Sequence, residues 1–164
     1  MPGEIDTLKQ SLVSSDAVQQ GAAAEKLAQM GEDAQPAAVE LIGACAGSEA
    51  LREWATAALE AMGPPAVADV QKLITLLDAK SADVGYWAAT LLGRLGPDGA
   101  AATAALAKTL GKSPHAQVRE RAALALGKIG PAAASAAPAL QEAASSGSPR
   151  LASLARDALS SVMK

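Results

Sequence analysis

Apolar residues recur along the chain at intervals of three and four, and glycine interrupts them at regular distances. The stretches "EWATAALEAMGP", "YWAATLLGRLGP" and "VRERAALALGKIGP" end alike, at Gly63, Gly96 and Gly130, and "AAAEKLAQMG" ends at Gly31. These four glycines are 32, 33 and 34 residues apart. A fixed period of this size is the mark of a solenoid. The flanking columns agree with it. Eight residues before each glycine stand Ala23, Ala55, Ala88 and Ala122; four before stand Leu27, Leu59, Leu92 and Leu126. One before stand Met30, Met62, Leu95 and Ile129, and ten after stand Leu41, Leu73, Leu106 and Leu140. The offsets before the glycine place an alanine, a leucine and an aliphatic on one helical face.

The glycine suits a left-handed helix end. Pro64, Pro97 and Pro131 follow at once, with Glu32 in their place in the first repeat. Proline cannot continue the old helix but can open a new one. The unit is therefore helix–turn–helix. Before the first full unit, Ile5, Leu8 and Leu12 mark a lone second helix; after the last, Leu151, Ala155, Leu159 and Val162 mark a lone first helix. Such half-units cover the ends of a stack. The pattern predicts about ten helices in one domain over 1–164. Its parts are a half-repeat over 1–14, repeats over 15–47, 48–80, 81–113 and 114–146, and a closing helix over 147–164.

Composition supports this reading. Half of the residues are hydrophobic, yet aromatics make up 2% and Phe is absent. Alanine buries little area, so the helices must pack closely. Residues that favour strands are scarce, and those that favour helix abound. The expected fold class is all-α.

The stretch "VRERAALALGKIGPAAASAAPAL" resembles HEAT-like repeats of the phycobilisome-lyase type, over roughly Ser15 to Met163. That resemblance implies a right-handed α-solenoid with first helices on the convex side and second helices on the concave side. It is specific for fold and not for function, because the family includes scaffolds, adaptors, chromophore lyases, hydroxylases and DNA-repair proteins. The family's arginine appears as Arg52 and Arg119, whereas Gln20 and Gly85 hold that column elsewhere. If the arginine ties neighbouring repeats, the junctions at Gln20 and Gly85 should be looser.

With the second-helix leucines turned inward, residues two before and two after them face away, since a helix turns about 100° per residue. They are Val39 and Gly43, Gln71 and Thr75, Ala104 and Lys108, Pro138 and Glu142, with Lys72 beside them. This concave stripe is small, nearly neutral and weakly polar. It reads either as a smooth groove for a peptide or protein surface or as a solvated face. Trp54 and Trp87 lie nine residues before their glycines, and Tyr86 adjoins the second. They read first as a ladder filling the space between first helices, and secondly as an exposed hot spot for a partner.

Other chemistry finds little support. One histidine, His115, cannot supply a metal-ligand set. The only cysteine, Cys45, lacks the cationic surroundings of a nucleophile and is expected to be buried. "GACAGS" and "GPDGAA" lack phosphate-loop spacing. No catalytic, cofactor or metal residues are assigned. Net charge −3, with 14 basic against 17 acidic residues and no basic block, argues against nucleic acid. No apolar run reaches the roughly 18 residues of a membrane span, and the first residues lack a signal-peptide pattern. The expectation is a cytoplasmic, non-catalytic scaffold or adaptor for a protein or peptide. A second class is a lyase-like accessory factor for a tetrapyrrole, although the stripe offers only Lys72 and Lys108 as cations and almost no aromatics. DNA binding is a third. The terminal helix around Leu151 to Val162 is open to packing on a second copy of the chain.

Overall fold

The computed structural model describes residues 2–164. Among them are ten α-helices and no strand. The chain divides after Ala66 into two compact units.

The first unit holds α1 (Pro2–Leu12), α2 (Ala17–Met30), α3 (Ala38–Ala44) and α4 (Glu49–Ala61). Asp16 starts α2 by accepting from the amides of Val18 and Gln19 at 2.9 and 3.2 Å. Ser48 starts α4 by accepting from Leu51 at 3.3 Å. Each cap satisfies donors that a helix start leaves open. Helix α2 packs on α1 and α4. Ala23, Leu27, Leu41, Ala55 and Leu59, all from the predicted columns, are buried there.

The second unit holds α5 (Val70–Leu76), α6 (Ala82–Arg94), α7 (Thr103–Lys112), α8 (Ala116–Ile129), α9 (Ala137–Ala144) and α10 (Pro149–Val162). Helix α8 is its centre, with α6, α7 and α10 packed against it. The column residues Leu73, Ala88, Leu92, Leu106, Ala122, Leu126, Ile129 and Leu140 are buried. In the closing helix Leu151, Ala155 and Val162 are buried, whereas Leu159 is only half-buried.

First helices approach to backbone contact at small residues. A methyl group on Gly93 of α6 would lie 2.9 Å from Cα of Ala125 in α8. A methyl on Gly127 of α8 would lie 3.2 Å from Cα of Ala158 in α10. Two turns before Gly93, Gly85 sits under Val118, where an added methyl would meet both of its Cγ atoms at 3.2 Å. Composition alone demanded close packing, and these contacts are its form.

The turn differs from expectation in two ways. Gly31 and Gly130 have positive φ, at 57° and 73°, but ψ is −125° and −143°. That is not the left-handed helical region but its extended counterpart, which is nearly closed to any residue with a Cβ. The chain then runs through 3-10 turns over Gly31–Ala37, Gly96–Ala102 and Gly130–Ala136, the last kinked at Ala133 (φ −101°, ψ 19°), before the second helix. The repeat at Gly63 departs from this: its glycine has no positive φ, and Met62 is extended at φ −80°, ψ 150°. Pro65 follows Pro64, and a residue before proline is pushed out of the helical region. The doubled proline disfavours the 3-10 turn there, and only Val67–Asp69 forms one.

Residues Ala116–Ala144 are, among the described residues, the one stretch long and apolar enough for a membrane span, an 18-residue window of it having mean hydropathy 1.2. Gly130 and its 3-10 turn divide that stretch into α8 and α9.

The Gly93 contact sets a sign test. Gly93→Ala gains about 1 kcal/mol of helix propensity, but overpacking costs about 1–3 kcal/mol. The variant should melt a few degrees lower. Gly21→Ala, in the interior of α2 with open space around it, should melt higher. Thermal unfolding by circular dichroism reads both; a stabilised Gly93→Ala would contradict the close approach.

Candidate functional site

The second helices present two unlike faces. Their leucines are fully buried, while Gly43, Gln71, Lys72, Thr75, Ala104, Lys108, Pro138 and Glu142 are exposed and Val39 is half-buried. Val39 and Gly43 belong to the first unit and the others to the second. Lys72 pairs with Asp69 at 3.3 Å, and Lys108 with Asp78 at 3.0 Å. Both lysines are solvent-exposed, so these pairs hold them only loosely. The Thr75 hydroxyl donates to the Lys72 carbonyl at 2.7 Å and leaves the surface weakly polar.

The ends of these helices are tied by donors from the helix that follows. Arg119 of α8 donates through Nε to the Leu110 carbonyl at 2.8 Å. Arg156 of α10 donates to the Ala144 carbonyl at 3.3 Å. In the first unit, Nε2 of Gln20 donates to the carbonyls of Leu12 and Ser14 at 3.3 and 2.7 Å. Gln20 thus makes the bond expected of the arginine, and the looser junction expected there is not found. Gly85 has no side chain to make this bond, and a methyl added there would lie 3.4 Å from the Leu77 carbonyl.

Two grooves open beside these ends in the second unit. One, of about 530 Å³, lies between α7 and α9 and is bordered by Lys108, Lys112, Arg119 and Glu142. The other, of about 410 Å³, lies between the end of α5 and α7, bordered by Asp78, Lys80, Lys108, Lys112 and His115. Of the predicted stripe, only Lys108 and Glu142 reach a groove; Gln71, Lys72, Thr75, Ala104 and Pro138 stand exposed outside both. The stripe positions lie around the middle of each second helix, whereas the grooves lie a turn further on. The signal was present in the arginine column, which marks that end, and in the short α5 and α9.

The two tryptophans are buried to different degrees. Trp87 is 7% exposed, with Tyr86 edge-on at 5.6 Å and the Arg94 guanidinium 5.7 Å from its ring centre. Arg121 lies over Tyr86 at 4.4 Å. Trp54 is 40% exposed; its chain neighbour is Glu53 where Trp87 has Tyr86. A shared column position places the two rings alike on their helices, but only Trp87 has an aromatic and an arginine to close over it.

Cys45 is buried, and its thiol donates to the Leu41 carbonyl at 3.5 Å. His115 is half-buried at the start of α8, with Nε2 3.1 Å from the Lys80 carbonyl. Among the described residues no three His, Cys, Asp or Glu side chains group as metal ligands.

Helix–turn–helix units of this geometry define an all-helical repeat protein of the α-solenoid class. The family model for HEAT repeats matches residues 70–160, and the chain belongs to that family. No curated protein sequence matches it. Among solved structures it is similar to the complex of CpcE and CpcF of phycocyanin lyase from Nostoc sp. PCC7120. That likeness has 27% identity and a TM-score of 0.66, covering 96% of this chain and 64% of that one. It is similar in fold to an engineered protein (22% identity, TM-score 0.64, 98% of this chain and 80% of that one). A designed armadillo repeat protein in complex with the peptide (KR)4 also shares the fold (16% identity, TM-score 0.51, 97% and 99%).

Replacing Arg119 by Met removes a charged donor from a part-buried carbonyl, which costs about 1.5 kcal/mol. The urea midpoint should fall accordingly, and Arg119→Gln should recover part of the loss, as Gln20 does in its own repeat. An unchanged midpoint in Arg119→Met would show that this bond does not tie α8 to α7.

Proposed function

We propose that this chain is a non-catalytic interaction module that binds a peptide or protein surface along the exposed face of its second helices. One observation carries the reading: these helices bury one face completely and leave the other exposed, built of small and weakly polar residues. Such a face fits a backbone or a flat protein surface, because little side-chain bulk has to be displaced. Extended surfaces of this kind are the usual binding faces of solenoids. The designed armadillo relative with its bound peptide illustrates the mode in a similar fold, as an analogy of architecture.

A second reading, an accessory factor for a tetrapyrrole, is favoured by the likeness to phycocyanin lyase. Neither groove beside α7 is lined by an aromatic side chain, which weighs against it. Visible absorbance of the protein titrated with a bilin separates the two readings.

Gln71→Glu and Ala104→Arg alter the exposed face without touching either groove. Affinity capture from cells, read by mass spectrometry, should lose the partner when both substitutions are made, with helical content unchanged. Identical capture by the folded variant and the unaltered chain would contradict use of this face.

A further inference from the structure

The two grooves share Lys108 and Lys112 as a common wall. Around them stand four cations, Lys80, Lys108, Lys112 and Arg119, against two carboxylates, Asp78 and Glu142. The local balance is positive on a chain whose net charge is −3. A run of helix C-termini would ordinarily repel anions. Three of the carbonyls at these ends have partners here: Leu110 accepts from Arg119, Ala144 from Arg156, and the Lys80 carbonyl lies against His115. Lys80 and Lys112 themselves have no side-chain partner among the described residues. Lys108 is held only by an exposed pair with Asp78. The groove between α7 and α9 is also lined by the small residues Gly111 and Ala139.

Packed helices lie about 8–10 Å apart. A chain in the polyproline II conformation advances about 3.1 Å per residue with three residues per turn, so side chains three residues apart share one face and match that spacing. We infer that the two grooves on either side of Lys108 and Lys112 bind an extended acidic segment of a partner protein, with carboxylates about three residues apart meeting Lys80 and Lys112. The inference rests on the reading of the second helices as an interaction face and names the chemistry of the partner.

The test uses the full chain and three labelled twelve-residue peptides followed by fluorescence anisotropy. One carries Glu at every third position in a Ser/Gly background, one carries Lys at those positions, and one has its glutamates clustered at one end. The spaced acidic peptide should bind, the basic one should not, and the clustered one should bind several-fold more weakly. Binding should weaken with added salt and fall at least tenfold in Lys80→Glu/Lys112→Glu. A double variant with the same charge change elsewhere, Lys128→Glu/Lys164→Glu, should bind as the unaltered chain does. Equal loss in both double variants would reduce the effect to net charge and overturn the inference. So would tighter binding of a single-stranded oligonucleotide through the same lysines, which would assign the grooves to nucleic acid. Absence of acidic-peptide binding, with partner capture still sensitive to Gln71→Glu/Ala104→Arg, would overturn this inference and leave the interaction face standing. Failure of both would remove the interaction reading as well.

Discussion

The closeness of the first helices is the constraint on which the second unit depends. Gly93 lies against Ala125 and Gly127 against Ala158, each at a distance where one added methyl would press on backbone. Contact at this range replaces the bulk that the composition lacks. An alanine buries little area, but helices drawn this near make many short dispersion contacts along their length. The leucines at 92 and 126 then fill the interior, fully buried. Larger residues in the glycine positions would push α6, α8 and α10 apart and open the alanine interfaces between them.

That arrangement leaves the second helices with a different task. They contribute one leucine face to the core, and α1, α7 and α9 are tied at their ends by side chains of the next first helix. Arg119, Arg156 and Gln20 perform the tie with different chemistry on the same kind of acceptor, the last carbonyls of a helix. With these carbonyls satisfied, the rim beside them can carry unpartnered lysines without competing for backbone. The exposed stripe and the basic rim are adjacent but separate, and they share only Lys108 and Glu142.

The repeat was legible in the chain because its signals are local. A glycine every 32 to 34 residues, with alanine and leucine at fixed distances before it, needs no knowledge of neighbours. The 3-10 turn was not legible, because its residues after the proline are mostly alanines that suit either kind of helix. The break at Gly63 was within reach, since Pro64-Pro65 disfavours the turn that a single proline permits. The different fates of Trp54 and Trp87 were hidden, as burial of the second depends on Tyr86 and Arg94 closing around it. The grooves were missed for a related reason. Counting outward from a buried leucine finds the face of a helix, but a groove at a helix end takes residues from three helices, Arg119 among them.

Amide hydrogen exchange of the intact protein tests most directly whether first-helix packing holds the second unit while the second helices stay available. Exchange by local opening is slowest where packing is most complete. The amides of α8, followed by those of α6, should be the slowest in this unit, and the last turns of α5, α7 and α9 should exchange markedly faster. Exchange in α8 as fast as in α9 would contradict the account, because stability would then not reside in the close column of first helices.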